Sequence, residues 1–167
     1  MTTIFITIIN VLFWLFTFYG FSNMIVGLPK KLQLKIFDPD RKFYKVSKKE
    51  MEFYRKIKLP KWKDKLPQRR NTDFEKHHLP EVVDEKYLIT YIYVTCRAEV
   101  IHYAIAAFGF VSLLFSLFEE NTKLWFWIYF AISFVMGIGN IPFSMIQRYN
   151  RHRLSRLLKK MKNRAHI

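Results

Sequence analysis

Three long apolar runs constrain this chain more than any other feature of its sequence. Residues 4–28 contain no charged side chain over 25 positions, and residues 124–146 contain none over 23. Residues 100–118 have only His102 and Tyr103 as titratable side chains. An α-helix rises about 1.5 Å per residue, so about 20 apolar residues cross a hydrocarbon core about 30 Å thick. Each run is therefore long enough to span a membrane.

These runs predict an all-α integral membrane protein with three transmembrane helices and additional interfacial amphipathic helices. The 167 residues are enough for one membrane domain, 1–167. We expect the second helix to begin well before its apolar run, since residues 85–99 contain neither Pro nor Gly. The predicted spans are about 4–28, 86–118 and 124–147, separated by a loop over 29–84 and followed by a basic tail over 148–167.

The basic residues of the chain lie beside these spans and account for a net charge of +15. A strongly basic protein usually binds nucleic acid or anionic lipid. Because the charge is adjacent to spans, anionic headgroups are the simpler partner. We therefore expect membrane lipids as partners and no nucleic acid. The single cysteine, Cys96, leaves no intramolecular disulfide and no Cys-based metal site.

The distribution of charge also predicts an orientation. Loop 29–84 holds 17 Lys or Arg against 9 Asp or Glu, and residues 147–167 hold 8 against none, whereas the turn 119–123 is short and acidic. Loops rich in Lys and Arg stay in the cytoplasm. We expect a multi-pass protein of the cell membrane with its N-terminus outside and its long loop and C-terminus cytoplasmic. Residues 4–28 lack a basic n-region and a cleavage site, which indicates a retained span.

The long loop contains the signature of a short amphipathic helix. Ser47 and Glu50 have the spacing of a capping box, and Met51, Tyr54 and Ile57 then recur at helical period. This pattern favours a helix lying in the headgroup region. We expect Pro60 to end that helix, residues 60–67 to be extended, and Trp62 to act as an interfacial anchor.

A pair of adjacent histidines in the loop is the one pattern that suggests a metal. His77 and His78 are followed by Glu81 at a plausible ligand spacing. No second pair of ligands stands at a matching distance, and Pro80 would break a helix there. We therefore expect surface or substrate-contact histidines and no metal.

Polar and small residues also occur inside the spans. Asn10 and Trp14 lie four apart on one face of the first helix, and we expect them to hydrogen-bond to other helices. In the third helix, Pro142 predicts a kink or local opening near Asn140. The glycines at 137 and 139 would let a neighbouring helix or a second copy of the chain approach closely.

Ionisable residues enter the second and third helices at the same predicted depth. A turn of five residues makes these helices antiparallel neighbours, so their cytoplasmic ends should meet. Glu99 and His102 are three apart and can touch, and a carboxylate fixes the tautomer of an imidazole and raises its basicity. We expect His102 to be a general base for direct acyl transfer to an alcohol, oriented by Glu99. The predicted substrate-binding residues are Arg97, Asn140, Gln147, Arg148, Asn150, Arg151, Arg153 and Trp62.

A purely structural interpretation of the same residues is open. Charged groups at membrane depth are costly and tend to be paired. Glu99 could form a structural ion-pair cluster with Arg148 or Arg151, without any catalytic role.

Four sequence blocks resemble a known family. In order they are K-W-K-D-K-L-P at 61–67, R-A-E-V-I-H at 97–102, N-I-P-F at 140–143 and Q-R-Y-N-R-H-R-L at 147–154. The chain resembles the glycosyl-4,4'-diaponeurosporenoate acyltransferase family over nearly its whole length, with departures at His152, where Pro is expected, and Tyr103, where Trp is expected. The resemblance implies an acyltransferase of bacterial membranes without a cofactor. Its donor would be an acyl thioester, either acyl-CoA or acyl carrier protein, and its acceptor a lipid-linked hydroxyl such as that of a glycosylated carotenoid.

Two non-enzymatic functions compete with this one. The polar residues could hold an anionic headgroup in a lipid-binding or transport component, in which case the arginines rather than His102 would be essential. The chain could also be a structural subunit of a membrane complex or a homo-oligomer.

Overall fold

The fold is all-helical in the residues that the structure describes. The computed structural model describes residues 3–67 and 83–165, and its regular structure within them is α, π or 3₁₀ helix. Three helical stretches are long and apolar enough to cross a membrane, which confirms the predicted fold class of a multi-pass membrane protein. They are Thr3–Val26, Glu85–Phe118 and Thr122–Arg164.

The first stretch changes its helical pitch in the middle. Helix α1 spans Thr3–Leu15, a π-helical segment follows over Phe16–Gly20, and helix α2 spans Phe21–Val26. The hydroxyl of Thr17 donates to the carbonyl of Phe13 at 2.8 Å. A short helix α3 over Lys30–Ile36 comes next.

The other two stretches are longer. Helix α6 covers Glu85–Phe108 and continues as a 3₁₀ helix over Gly109–Phe118. Helix α7 covers Thr122–Ala165, so helical structure continues through Pro142 into the basic C-terminal segment. Between α3 and α6 lie α4 (Lys48–Lys56), α5 (Leu59–Trp62) and 3₁₀ turns over Lys42–Tyr44 and Lys63–Lys65.

The chain divides into two compact units whose boundaries fall within α3, α6 and α7. Unit 1 comprises Met1–Gln33 and Val100–Ser144, and unit 2 comprises Leu34–Glu99 and Met145–Ile167. The prediction of one domain over 1–167 stays a prediction.

Close packing of α1 against the 3₁₀ helix defines the interior of unit 1. A Cβ built on Gly109 would lie 2.4 Å from the Trp14 ring, so a larger residue there would require that ring to move. The hydroxyls of Ser112 and Ser133 lie 2.8 Å apart, and Ser133 donates to the Gly109 carbonyl at 3.1 Å. Nδ2 of Asn10 and Nε1 of Trp14 are buried without a hydrogen-bond partner in the described part of the chain. The prediction of interhelical hydrogen bonds is therefore wrong for these two donors, and serines make such bonds in their place.

Helix α4 of unit 2 begins as predicted. The hydroxyl of Ser47 accepts from the backbone N–H of Glu50 at 3.1 Å and caps the helix. The apolar side of α4 is covered by protein rather than left to lipid, since Met51 and Tyr54 form a buried cluster with Leu59, Ile146 and Tyr149.

The expectation of an extended 60–67 segment is wrong, because residues 59–65 form helical turns. Pro60 does not stop α4, which ends at Lys56. It lies in the first turn of α5, where a backbone N–H would have no partner within the helix, so proline loses no hydrogen bond there. Lys58, with a φ of 54°, makes the left-handed turn between the two helices. A proline at this point therefore begins a helix.

Candidate functional site

A buried carboxylate on α6 anchors the polar cluster of unit 2. The side chain of Glu99 is 0% exposed, and its two oxygens accept from two arginines of α7. Nη1 of Arg148 donates to Oε1 at 2.7 Å, and Nη2 of Arg151 donates to Oε2. The structure thus brings together three of the residues that the sequence predicted, in the ion-pair arrangement considered as the structural alternative.

Arg148 directs every one of its N–H groups into unit 2. A guanidinium has five such donors. Its Nε and Nη2 donate to the two oxygens of Glu50, and its Nη1 donates to Glu99. The remaining two donate to the carbonyls of Phe43 at 2.9 Å and Lys45 at 3.0 Å. Arg148 therefore fastens the segment before α4, and α4 itself, to α7.

Arg151 makes a similar set of contacts one turn further along α7. It is 3% exposed. Its Nε donates to the carbonyl of Tyr44 at 2.9 Å, and its Nη1 lies 3.6 Å from Sγ of Cys96. Its guanidinium carbon lies 5.2 Å from the centre of the Tyr44 ring, a cation–π distance. Arg151 therefore uses three of its five donors and its flat face within the protein.

Glu50 is the second acid of the cluster and lies on α4. Burial raises the pKa of its carboxyl. Hydrogen bonds from Arg148 and Tyr54 lower that pKa by more than burial raises it, so the pKa lies below its ordinary value. Tyr44 lies in the 3₁₀ turn before α4. Burial and the nearby acidic groups raise the pKa of its phenol to about 12. Both groups therefore keep their neutral-pH charge states, a carboxylate and an uncharged phenol.

Unit 1 contains a separate polar group centred on an imidazole. Nδ1 of His102 lies 3.0 Å from Oδ1 of Asn140, and the Asn140 amide Nδ2 donates to the carbonyl of Met136 at 2.9 Å. The ring of Phe143 stacks on the imidazole, with centroids 5.1 Å apart and planes inclined by 16°. Two helices therefore position the imidazole. It belongs to α6, and α7 contacts its Nδ1 edge through Asn140 and its ring face through Phe143.

The hydrogen-bond pattern determines the tautomer of His102. Because the Asn140 amide nitrogen is directed at the Met136 carbonyl, the atom facing His102 is the amide oxygen, which can only accept. Nδ1 must then carry the proton, and in the neutral imidazole Nε2 carries the lone pair. A histidine in this state can remove a proton through Nε2.

The structure thus pairs Glu99 with the arginines of the structural alternative and gives His102 a partner, Asn140, that the sequence did not anticipate. Glu99 was predicted to orient His102, yet its oxygens accept from arginines, and Asn140 is the partner at Nδ1. Sequence reasoning missed Phe143 and assigned Glu50 only a capping role. No local pattern links Glu50 to Arg148, which lies 98 positions further along the chain.

The remaining predicted site residues are dispersed over unit 2. Trp62 packs against the buried cluster and donates from Nε1 to the carbonyl of Ile57 at 3.0 Å. Gln147 and Asn150 are half-buried on α7. Arg153 is exposed, with its guanidinium carbon 5.7 Å from the centre of the Tyr149 ring. Arg97 is buried on α6.

The histidine pair considered for a metal, His77 and His78, lies outside the described residues. Within residues 3–67 and 83–165, no group of three or more His, Cys, Asp or Glu side chains could hold a metal ion.

Known proteins match most of this chain. A family model described as glycosyl-4,4'-diaponeurosporenoate acyltransferase matches residues 35–160. A protein of that name from Staphylococcus aureus strain N315 is 27% identical over 165 residues, covering 92% of this chain and 88% of the relative. Another, from the bovine strain RF122 / ET3-1, is 29% identical over 161 residues with the same coverage. No solved structure matches. Because the family model matches most of the 167 residues, the chain belongs to the glycosyl-4,4'-diaponeurosporenoate acyltransferase family.

Proposed function

We propose that this protein is a membrane acyltransferase in which Nε2 of His102 is the general base. The single observation that supports this most strongly is the hydrogen bond from Nδ1 of His102 to Asn140, because it leaves the lone pair on Nε2. The relatives are named for acyl transfer to a glycosylated carotenoid acid. We therefore take a glycosylated carotenoid as the first acceptor to test, within the wider class of lipid-linked hydroxyls.

The reaction would proceed by direct transfer. Nε2 accepts the proton of the acceptor hydroxyl while its oxygen attacks the carbonyl carbon of an acyl thioester. The new C–O bond forms, the C–S bond breaks, and the departing sulfur takes the proton from the imidazolium. Asn140 keeps Nδ1 protonated throughout, and Phe143 holds the ring in one plane. A positioned base of this kind contributes about 10²- to 10⁴-fold to a rate.

The donor proposed is a thioester of coenzyme A or of acyl carrier protein, supplied from the cytoplasm. We place the long loop and the C-terminus on that side, and the N-terminus outside, because Lys and Arg favour the cytoplasmic face. Of the 28 Lys and Arg of the chain, 22 lie in the described part of unit 2, against 8 Asp and Glu. Both candidate donors carry phosphate, so the charge of unit 2 suits them.

Within unit 2, Glu99 and Arg148 support the reaction indirectly. Arg148 has no uncommitted donor in the described structure, and its contacts hold the segment around Tyr44 and α4 on α7. We assign these two residues to positioning rather than to contact with the substrate.

The test is product formation by the purified full-length protein in nanodiscs. Acyl-CoA and a glycosylated carotenoid are supplied, and mass spectrometry detects a product heavier by one acyl group. We expect His102→Ala and His102→Gln to lose at least about 10²-fold in rate. His152→Gln, a half-buried histidine outside the proposed machinery, is the matched control. Wild-type turnover by His102→Gln would overturn the role of His102.

A lipid-binding or transport component is the second candidate function, and the charge of unit 2 is the observation that favours it. In that case anionic lipid would co-purify with the protein, His102 variants would retain it, and no acylated product would form with either donor.

A further inference from the structure

Two buried N–H donors on α1 lack a hydrogen-bond partner. They are Nδ2 of Asn10 and Nε1 of Trp14, and neither bonds to any group within residues 3–67 and 83–165. The Asn10 residue is 5% exposed. Burying such a donor without an acceptor costs free energy, and the hydrocarbon layer of a membrane contains no water that could supply the missing bond.

The two donors share the side of α1 that is turned towards the protein. Trp14 follows Asn10 by four residues, about 6 Å along the helix, so their side chains are neighbours on one face. Ile6 and Thr17 are the other buried residues of that face. The Trp14 ring lies against Gly109, where a Cβ would come within 2.4 Å of it. Both donors therefore point into unit 1.

The depth of the pair separates it from the headgroups. Trp14 comes ten residues after the start of the apolar run at residue 4, about 15 Å along the helix, so it lies well inside a hydrocarbon core about 30 Å thick. His102 precedes Gly109 by seven residues, so the Trp14 ring lies about 10 Å from His102 along the axis of that helical stretch. The ester carbonyls of phospholipids lie at the edge of the core and not at this depth.

The chemistry of the pair selects its ligand. An indole nitrogen can only donate, and Nδ2 of an amide likewise donates. A ligand that satisfies both must present an acceptor oxygen. A hydroxyl would bring a donor of its own into the apolar interior, whereas a carbonyl brings none. The π-helical segment Phe16–Gly20 begins two residues after Trp14, and π-helical turns are frequent at functional sites.

We propose that Asn10 and Trp14 bind a carbonyl oxygen of the lipid substrate inside the membrane. In a lipid whose sugar is esterified by an acid, this is the ester carbonyl between the sugar and the apolar chain. Its distance from His102 then leaves room for the sugar, with a hydroxyl at Nε2. The identity of the lipid rests on the proposed function, whereas carbonyl binding itself does not.

Lipid binding without turnover tests the proposal. The full-length protein is placed in nanodiscs of an ether-linked phosphatidylcholine, which contributes no ester carbonyl. The probe is glucose esterified at its anomeric oxygen by palmitic acid, with a ¹³C label at the carbonyl. Hexadecyl glucoside, which has no carbonyl, is the comparison ligand. Native mass spectrometry measures retention of each, and infrared difference spectroscopy reports the frequency of the labelled carbonyl.

We expect the wild type to retain the ester about tenfold better than the glucoside and to shift its carbonyl band to lower frequency. Asn10→Leu and Trp14→Phe should each lose most of this preference and of the shift, with glucoside retention unchanged. Without lipid, Asn10→Leu should be at least as stable as the wild type, because it removes a donor that has no partner. Asn23→Leu and Trp127→Phe make the same substitutions at exposed positions and are the matched controls.

Three outcomes would overturn the proposal. The first is equal retention of ester and glucoside by the wild type, and the second is an unchanged carbonyl band in both Asn10→Leu and Trp14→Phe. The third is loss of the ester preference in ester-linked phosphatidylcholine, which would assign the bound carbonyl to a phospholipid. His102→Gln should retain the ester as the wild type does, so failure of the acyl-transfer proposal would leave this result intact.

Discussion

The amide oxygen of Asn140 lies 3.0 Å from Nδ1 of His102, and the amide nitrogen of the same side chain is held by a carbonyl one turn earlier in its own helix. The tautomer of the imidazole is thus set from α7, although the imidazole belongs to α6. This relationship gives Asn140 a measurable positioning role.

Replacing Asn140 by leucine should reduce kcat about 10- to 100-fold, because the imidazole loses the acceptor that keeps Nδ1 protonated. Asn140→Asp retains an acceptor at this position and should restore most of the rate. It should also move the acidic limb of the pH–rate profile to higher pH, since a carboxylate favours imidazolium. The pH dependence of kcat for both variants is the measurement. Equal rates for Asn140→Leu and the wild type would remove the positioning role.

Replacing Glu99 by glutamine should destabilise the protein by about 3–5 kcal/mol, because the buried Arg151 and the half-buried Arg148 lose the anion between them. Chemical unfolding in mixed micelles measures the change. Glu52→Gln on the exposed side of α4 is the control and should change stability by less than about 0.5 kcal/mol. A Glu99→Gln protein as stable as the control would show that the cluster contributes no net stability.

The ion pair of Glu50 and Arg148 should make stability depend on pH at the acidic end. The folded-state pKa of Glu50 lies below its ordinary value of 4.5. Its contribution is therefore present above about pH 4.5 and is lost as the pH falls through the lowered value. The wild type should be more stable than Glu50→Gln at pH 6, and the difference should shrink towards pH 3. Thermal unfolding in detergent across this range checks the trend, and a constant difference would contradict it.

Adding one methyl group at Gly109 should destabilise unit 1 by about 1–3 kcal/mol, because the new Cβ would lie 2.4 Å from the Trp14 ring. Gly139→Ala is the matched control, since a Cβ at that position meets no atom within 4 Å. That change should be neutral or stabilise the helix by up to about 1 kcal/mol. Melting temperatures of the two variants in one detergent give the comparison. Equal melting temperatures would mean that the α1 packing relaxes around the methyl group.

Features determined by neighbouring residues were predictable from the sequence. The three spans follow from the length of their apolar runs, and the start of α4 follows from Ser47, whose hydroxyl bonds three residues ahead. Pro60 was misread because a proline both ends a helix and suits the first turn of the next one. Here the second occurs, and the residue before this proline, Leu59, is fully buried in unit 2.

Features determined by distant residues were not predictable in the same way. The sequence placed Glu99, Asn140 and the arginines at one predicted depth but could not decide which would pair. Charge-assisted hydrogen bonds from two guanidiniums stabilise a carboxylate more than a hydrogen bond from a neutral imidazole does. The arginines therefore donate to both oxygens of Glu99. The uncharged amide of Asn140 is then the partner of His102, a pairing that the positions of charged residues in the sequence do not indicate.

The reach of Arg148 back to Glu50 also has a consequence for biosynthesis. Ribosomes add about 5–20 residues per second, so the 98 positions between these two residues take about 5–20 s to make. During that interval the carbonyls of Phe43 and Lys45 lack their eventual donor. Unit 2 can therefore reach its final arrangement only after Arg148 of α7 has been synthesised.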